Sequence, residues 1–255
     1  AIALLYIGFL VVVPVTLIGW HTFEHGVGPV WTSLTDPTVL SAFRVTLIVA
    51  AWAVVINTVF GVGVSILLVR YRFPGRRLLS ALVDLPLSVS PVVIGLALVL
   101  VYGKYGWFGG FLERNGFQVI FALPGIVLAT VFPSLPLVVR EVVPVLEEIG
   151  TEQEQAALTL GASSWQTFRR ITLPAIRWAL AYGVILSLAR SLGEFGAVKV
   201  VSGNLINQTQ TVTLVVEAKY QNFEQGTAYA ASFVLAFIAI VCLVVVTVLR
   251  PKEEH

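Results

Sequence analysis

Arg190 and Glu194 lie four residues apart near the end of an apolar run, a spacing that sets opposite charges on one helical face. They suit an ion pair that fixes that run or its gate. Ser88 and Ser90 stand two apart, flanked by Pro86 and Pro91. A helix kinked at those prolines can expose backbone N–H donors beside the hydroxyls; alternatively each serine bonds its own helix at the i−4 carbonyl. Asp84 is close in sequence to Arg76 and Arg77 and reads as an anchor at the inner end of the same run. Catalysis would need a clustered acid, base, nucleophile or metal site, and the acidic residues here are scattered. His21 and His25 have the i, i+4 spacing of a metal pair, but Gly26 and Gly28 follow at once and His255 is terminal, so no metal site is expected. Cys242 is the single cysteine, which excludes a disulfide framework and a thiolate metal site. No GxxxxGK[ST] phosphate loop is present, so the chain is not itself an ATPase.

The elements that position these residues follow from composition. Of 255 residues, 57% are hydrophobic and 12% charged, where a globular domain carries about 25% charged residues. With a mean hydropathy of +0.91, most of the surface must face lipid. The net charge of +2 gives no case for nucleic acid. Six segments approach the ~20 apolar residues of a membrane helix: about 1–19, 40–69, 81–102, 119–140, 174–193 and 228–249. The expected fold is therefore an all-α membrane protein, one transmembrane domain over 1–255 with six transmembrane helices. Pro86, Pro91, Pro124, Pro133 and Pro136 fall inside spans three and four, which favours a packed bundle over isolated anchors. Ala1 lies directly in an apolar stretch and the chain has no Met, so the native N-terminus is expected upstream. The first segment ends without a small-residue cleavage site and reads as a retained span. Trp20, Trp31 and Trp107 suit interfacial positions.

Orientation follows from the cations. Placing loop 70–80, loop 140–177 and the C-terminus in the cytoplasm puts ten there: Arg70, Arg72, Arg76, Arg77, Arg140, Arg169, Arg170, Arg177, Arg250 and Lys252. Six face the other side: Arg44, Lys104, Arg114, Arg190, Lys199 and Lys219. Both termini are then cytoplasmic.

Spans four and five are joined by about thirty amphipathic residues, about 143–173, more than a helix-to-helix turn needs. Thr151 is placed to cap a short helix, with Glu152 and Glu154 in its favourable first turn. Gly161 suits the left-handed residue that ends it. Ser163 and Gln166 have capping-box spacing for a second helix, and Pro174 fits the first turn of the next span. Ala156 and Ala157 give the first helix a low-profile face that another protein's groove can approach. Physical chemistry alone leaves a docking element and a segment resting on lipid headgroups equally open.

Spacing separates them. Gln155-Ala156-Ala157, three residues, Gly161, nine residues, Ile171, one residue and Leu173-Pro174 resembles the coupling-loop signature of bacterial ABC import permeases, which opens Glu-Ala-Ala. Here Gln155 occupies the usual Glu position, with Glu154 just before it. The resemblance extends over essentially the whole chain. It implies a type I ABC importer permease fold with a cytoplasmic coupling helix between spans four and five. Glu154, Gln155, Ala156, Ala157, Leu160, Gly161, Ile171, Leu173 and Pro174 are the coupling residues it implies. This chain would bind no cofactor; ATP and Mg2+ would sit in a partner ATPase dimer.

Two further stretches, Asp84-Leu85-Pro86 and Ser191-Leu192-Gly193-Glu194-Phe195-Gly196-Ala197, resemble the sulfate, molybdate and tungstate branch of these permeases. Asp84-Leu85-Pro86 and Val200-Val201-Ser202-Gly203 are most similar to the W-type permease subunits of sulfate/thiosulfate importers. The resemblance implies structural motif positions at Asp84, Pro86, Pro91, Gly193, Phe195 and Gly196, and a T-type paralogous permease as heterodimer partner. An ATPase dimer and an extracytoplasmic sulfate-binding protein complete that assembly in the bacterial inner membrane. A tetrahedral dianion needs hydroxyls, N–H groups and a modest positive field along its path. Ser88, Ser90, Arg190 and Glu194 are thus candidates for the pore or gate. At 1.5 Å per residue, Arg190 and Glu194 lie roughly 24 and 30 Å above Pro174, near the outer boundary. The polar outer segment, about 196–226, is a candidate for part of the binding-protein surface; within it Asn207-Gln208-Thr209 spells a glycosylation acceptor, discounted for a bacterial family. A molybdate or tungstate permease is the nearest alternative. A secondary anion transporter is more distant, because no internal repeat or second half is visible.

Overall fold

The computed structural model describes residues 2–24 and 26–249, and every regular element among them is helical. Along the chain run α1 (Ile2–Phe23), α2 (Val27–Leu34), α3 (Pro37–Arg70), α4 (Arg76–Ser88), α5 (Pro91–Tyr102), α6 (Gly109–Arg114) and α7 (Leu123–Ile149). Then follow α8 (Glu152–Thr159), α9 (Ser164–Thr167), a π turn (Phe168–Thr172), α10 (Leu173–Leu192), α11 (Gly196–Val201), α12 (Val212–Gln221) and α13 (Gln225–Leu249). Four helical runs among the described residues are long and apolar enough to cross a membrane: α3, α7, Ser164–Leu192 and Gln225–Val245. The apolar part of α1, Gly8–Phe23, is shorter. Arg250, Lys252, His25 and His255 lie outside the described residues.

α3, α7 and α10 form the centre. α3 begins where the Asp36 carboxylate accepts from Thr38 N and Pro37 supplies a fixed first φ. The Thr38 hydrogen bonds favour the charged carboxylate and hold Asp36 below the usual carboxylate range. In lipid, helices gain little from apolar burial and are held by close backbone approach. Val138 of α7 is clasped on both sides by glycines. A Cβ on Gly61 of α3 would come within 2.6 Å of its Cγ1, and one on Gly183 of α10 within 3.0 Å of its Cα. Around that clasp Val62, Val142, Leu146 and Ile176 form one core. A second core, including Val45, Val49, Ile94, Ile126 and Val198, fills the half of the bundle at which α7 starts.

Three sequence expectations are corrected. The third span, expected as one helix over 81–102, is two helices meeting at 115°. Pro91 pushes Ser90 out of the helical region, to φ −60° and ψ 134°, and Val89 is extended as well. α4 instead lies along the C-terminal half of α7, through Arg76 to Glu147 at 3.8 Å and Asp84 to Arg140 at 2.9 Å. The fourth span starts at Leu123, not 119, because Phe121 takes φ 62° and its N–H donates to Val201 O. It continues to Ile149 despite internal Pro133, Pro136 and Pro144. Finally, segment 196–226 is not a polar surface loop throughout. Ala197, Val198 and Val201 of α11 are buried against α5, where Gly95 admits them: a Cβ there would lie 2.9 Å from Ala197 O.

Candidate functional sites

The loop between α7 and α10 is built from local signals. Gly150, at φ 66°, ends α7, and Gly161, at φ 88°, follows α8 in the left-handed region that glycine tolerates. Ser163 and Gln166 cap α9 reciprocally. Thr151 is at the N-cap of α8, but its side chain makes no cap; its Oγ1 accepts from Gln155 Nε2 at 3.1 Å. Its φ of −116° and ψ of 0° are helical rather than extended, which turns the hydroxyl away from the first N–H groups. The second helix does not stop before the next span. At the π turn, Leu173 N–H donates to Phe168 O, and this wide register accommodates Pro174, which has no N–H to give. α9 and α10 are thereby one continuous run.

Of the loop residues, Gln155, Ala156 and Pro174 are exposed, while Ala157, Ile171 and Leu173 are half-buried. Leu160 is 88% and Trp165 66% exposed, so an apolar surface points away from the bundle. Glu154 turns the other way. Its carboxylate lies 2.9 Å from Arg70 Nε and accepts from Arg70 Nη2 at 3.2 Å and from Thr172 Oγ1 at 2.7 Å. Arg70 and Thr172 were not singled out from sequence; a partner 84 residues away leaves no local pattern.

Within the bundle, Asn57 of α3 donates through Nδ2 to Ser134 Oγ of α7 at 2.7 Å and to Ser187 Oγ of α10 at 3.1 Å. Ser191 Oγ approaches Ser134 Oγ at 3.4 Å and donates to Ser187 O. This node too was missed, although one Asn inside a long apolar run is a visible signal.

Arg190 and Glu194 do pair, Nη1 to Oε2 at 2.6 Å. Glu194 Oε1 also accepts from Ala197 N, capping α11, and Thr213 Oγ1 donates to Glu194 O. The Glu194 side chain is 2% exposed and that of Arg190 38%. Ser187 shares Asn57 with Ser134, which lies about 17 Å from the start of α7 at 1.5 Å per residue. α10 runs antiparallel to α7, so Arg190 and Glu194 lie about 5 and 10 Å nearer that end, beside α11.

Ser88 and Ser90 are exposed at the break between α4 and α5, and Ser90 is the N-cap residue of α5 without a side-chain cap. Asp84 pairs with Arg140 rather than with Arg76 or Arg77. Pro86 is buried within α4. Pro91 abuts Gly196, where a Cβ would lie 3.0 Å from its own Cβ. Gly193 closes α10, and the Phe195 ring lies 5.4 Å from Lys199 Nζ. His21 pairs with Glu24 at 3.1 Å and stacks on Tyr229.

Residues 57–254 match the family described as binding-protein-dependent transport system inner membrane component. The chain is 46% identical over 251 residues to the sulfate transport system permease protein CysW of Synechococcus elongatus, covering 98% of this chain and 88% of that one. It is 38% identical over 250 residues to the sulfate transport system permease protein CysT of Escherichia coli, covering 98% and 90%. In fold it is similar, at a TM-score of 0.77 and 18% identity over 98% and 93% of the two chains, to a bacterial ABC transporter involved in the import of the acidic polysaccharide alginate. The chain therefore belongs to the inner-membrane permease family of binding-protein-dependent ABC importers.

Proposed function

We propose that this chain is the W-type permease subunit of an ABC importer that carries sulfate, and thiosulfate by the same route, into the cytoplasm. Likeness over nearly the whole chain to sulfate permeases of both paralogous kinds carries this reading. The partners are a T-type permease, an ATPase dimer and an extracytoplasmic sulfate-binding protein; ATP and Mg2+ belong to the ATPase. Six crossings, with α1 as the first and the bent α4–α5 pair as the third, leave both termini in the cytoplasm.

α8 acts as the coupling helix. Its exposed Gln155 and Ala156, with Leu160 and Gly161 just beyond, enter a cleft of the ATPase, and closure of two ATPase subunits around ATP draws the paired loops together. ATP binding thus biases an equilibrium between inward-open and outward-open bundles. The dianion passes the break beside Ser88 and Ser90. Arg190, steadied by Glu194, supplies a modest positive field without a deep well.

Uptake of labelled sulfate by proteoliposomes tests this. They would hold the chain with its permease and ATPase partners, ATP inside, binding protein outside and molybdate as competitor. Uptake that requires both ATP and binding protein and resists molybdate is expected. Inhibition by low molybdate would move the assignment to that neighbouring anion, and ATP-independent uptake would overturn the mechanism.

A further inference from the structure

Arg70, the last residue of α3, has its guanidinium engaged on three sides. Nη1 donates to Leu146 O in the last turn of α7 at 3.0 Å, Nη2 donates to Glu154 Oε1 at 3.2 Å, and Nε lies 2.9 Å from Glu154 Oε2 as a charge contact without a hydrogen bond. Thr172 of the π turn donates to Glu154 Oε1 at 2.7 Å. One carboxylate therefore gathers the ends of α3, α7, α8 and the run leading into α10. The two side chains are 11% and 18% exposed, so water screens the pair only partly.

The rest of α8 holds on weakly. It contains no buried residue, and its larger contacts are with α9 and the π turn of its own loop. A planar guanidinium that donates to both Leu146 O and Glu154 constrains direction as well as distance, which a sliding apolar contact does not. Beyond the joint, α3 is fastened to α7 by the Gly61–Val138 contact and by Asn57 on Ser134. A displacement of α8 thus enters two long helices at their inner ends. The step of one residue from Gln155 to Glu154 also turns the carboxylate by about 100°, from the exposed face toward the bundle.

We infer that Arg70 and Glu154 form the joint through which movement of the cytoplasmic loop reaches α3 and α7, with Arg70 as a positioning residue of the transport cycle. The inference rests on the transport reading above and adds to it a role that the coupling signature does not contain, since Arg70 lies in a different span.

The test uses the full complex, with both permeases, ATPase and binding protein in proteoliposomes. The readout is the ratio of ATP hydrolysis with and without sulfate-loaded binding protein, together with sulfate moved per ATP. Arg70→Gln should leave a complex that co-purifies intact but whose ratio falls about tenfold, within the ordinary range of coupling between sites. The exchange Arg70→Glu with Glu154→Arg should recover the ratio severalfold over either single change. If Arg70→Gln prevents assembly, Arg70→Lys, which keeps the charge and loses the planar guanidinium with its two separate hydrogen bonds, should assemble with an intermediate ratio. A wild-type ratio in an assembled Arg70→Gln or Arg70→Lys complex overturns the inference, as does an exchange no better than the single variants. A wild-type complex that ignores the binding protein would sink the transport reading itself.

Discussion

The Asn57 amide donates to Ser134 Oγ at 2.7 Å across the contact between α3 and α7, with both side chains fully buried. Ser134 Oγ donates in turn to Thr130 O, and Ser187 Oγ of α10 accepts a second hydrogen bond from the Asn57 amide. Three helices thus meet on one side chain at mid-bundle. Asn57 Oδ1 has no hydrogen-bond partner among the described residues, so the node carries a cost as well as a gain.

Asn57→Ala should lower the unfolding free energy by about 1–2 kcal/mol, the value of two interhelical hydrogen bonds in lipid plus a small cavity. Asn57→Asp should be worse, because it buries a charge with no cation beside it in the node. Thermal melting in detergent reads both. An Asn57→Ala chain that melts like wild type would remove the node from the account of bundle stability.

Gly61→Val should overpack the contact with Val138 and cost about 1–3 kcal/mol. Adding Val138→Ala should return part of that loss. Equal melting of single and double variants would mean that the two helices can separate at no cost.

At Gly161 the restraint is conformational rather than steric: φ is +88° and an added Cβ would meet nothing within 4 Å. Gly161→Val should strain the turn by about 1–2 kcal/mol and tilt α8, uncoupling ATP hydrolysis from uptake while the chain still inserts. Gly161→Asn should be better tolerated. Unchanged transport in the Val variant would contradict the coupling role of the loop.

Arg190→Gln leaves the Glu194 carboxylate buried without its cation, whereas Glu194→Gln keeps an oxygen for Ala197 N–H and leaves the half-exposed arginine to water. Arg190→Gln should therefore melt lower than Glu194→Gln. The reverse order would show that the Arg190 contact is not what makes burial of the Glu194 side chain tolerable.

Local patterns were legible in the sequence. The apolar length of α3, α10 and α13, the Ser163–Gln166 capping box and the left-handed Gly161 are each written within a few neighbouring residues. Direction was not. Hydropathy is indifferent to a turn of the chain, so 81–102 appeared as one span although Pro91 forbids Ser90 a helical conformation. α11 escaped notice because six residues that begin with a glycine carry no periodic signal, yet Gly95 opposite makes part of them core. The partners of Glu154, Asn57 and Asp84 come from other helices, and single-sequence spacing does not encode which helices will be neighbours.

The π turn at Phe168–Thr172 has a consequence for the timing of the loop against the membrane. An i→i+5 closure holds one residue more than an α turn. Winding the same five residues as an ordinary α-helix, with none deleted, would swing everything before them by about 100° around the axis of α10. Trp165 and Leu160 would then face another direction while Ser187 and Arg190 stayed where they are. The five residues act as a phase setting, a clocking pin between the exposed loop of α8 and α9 and the apolar run of α10.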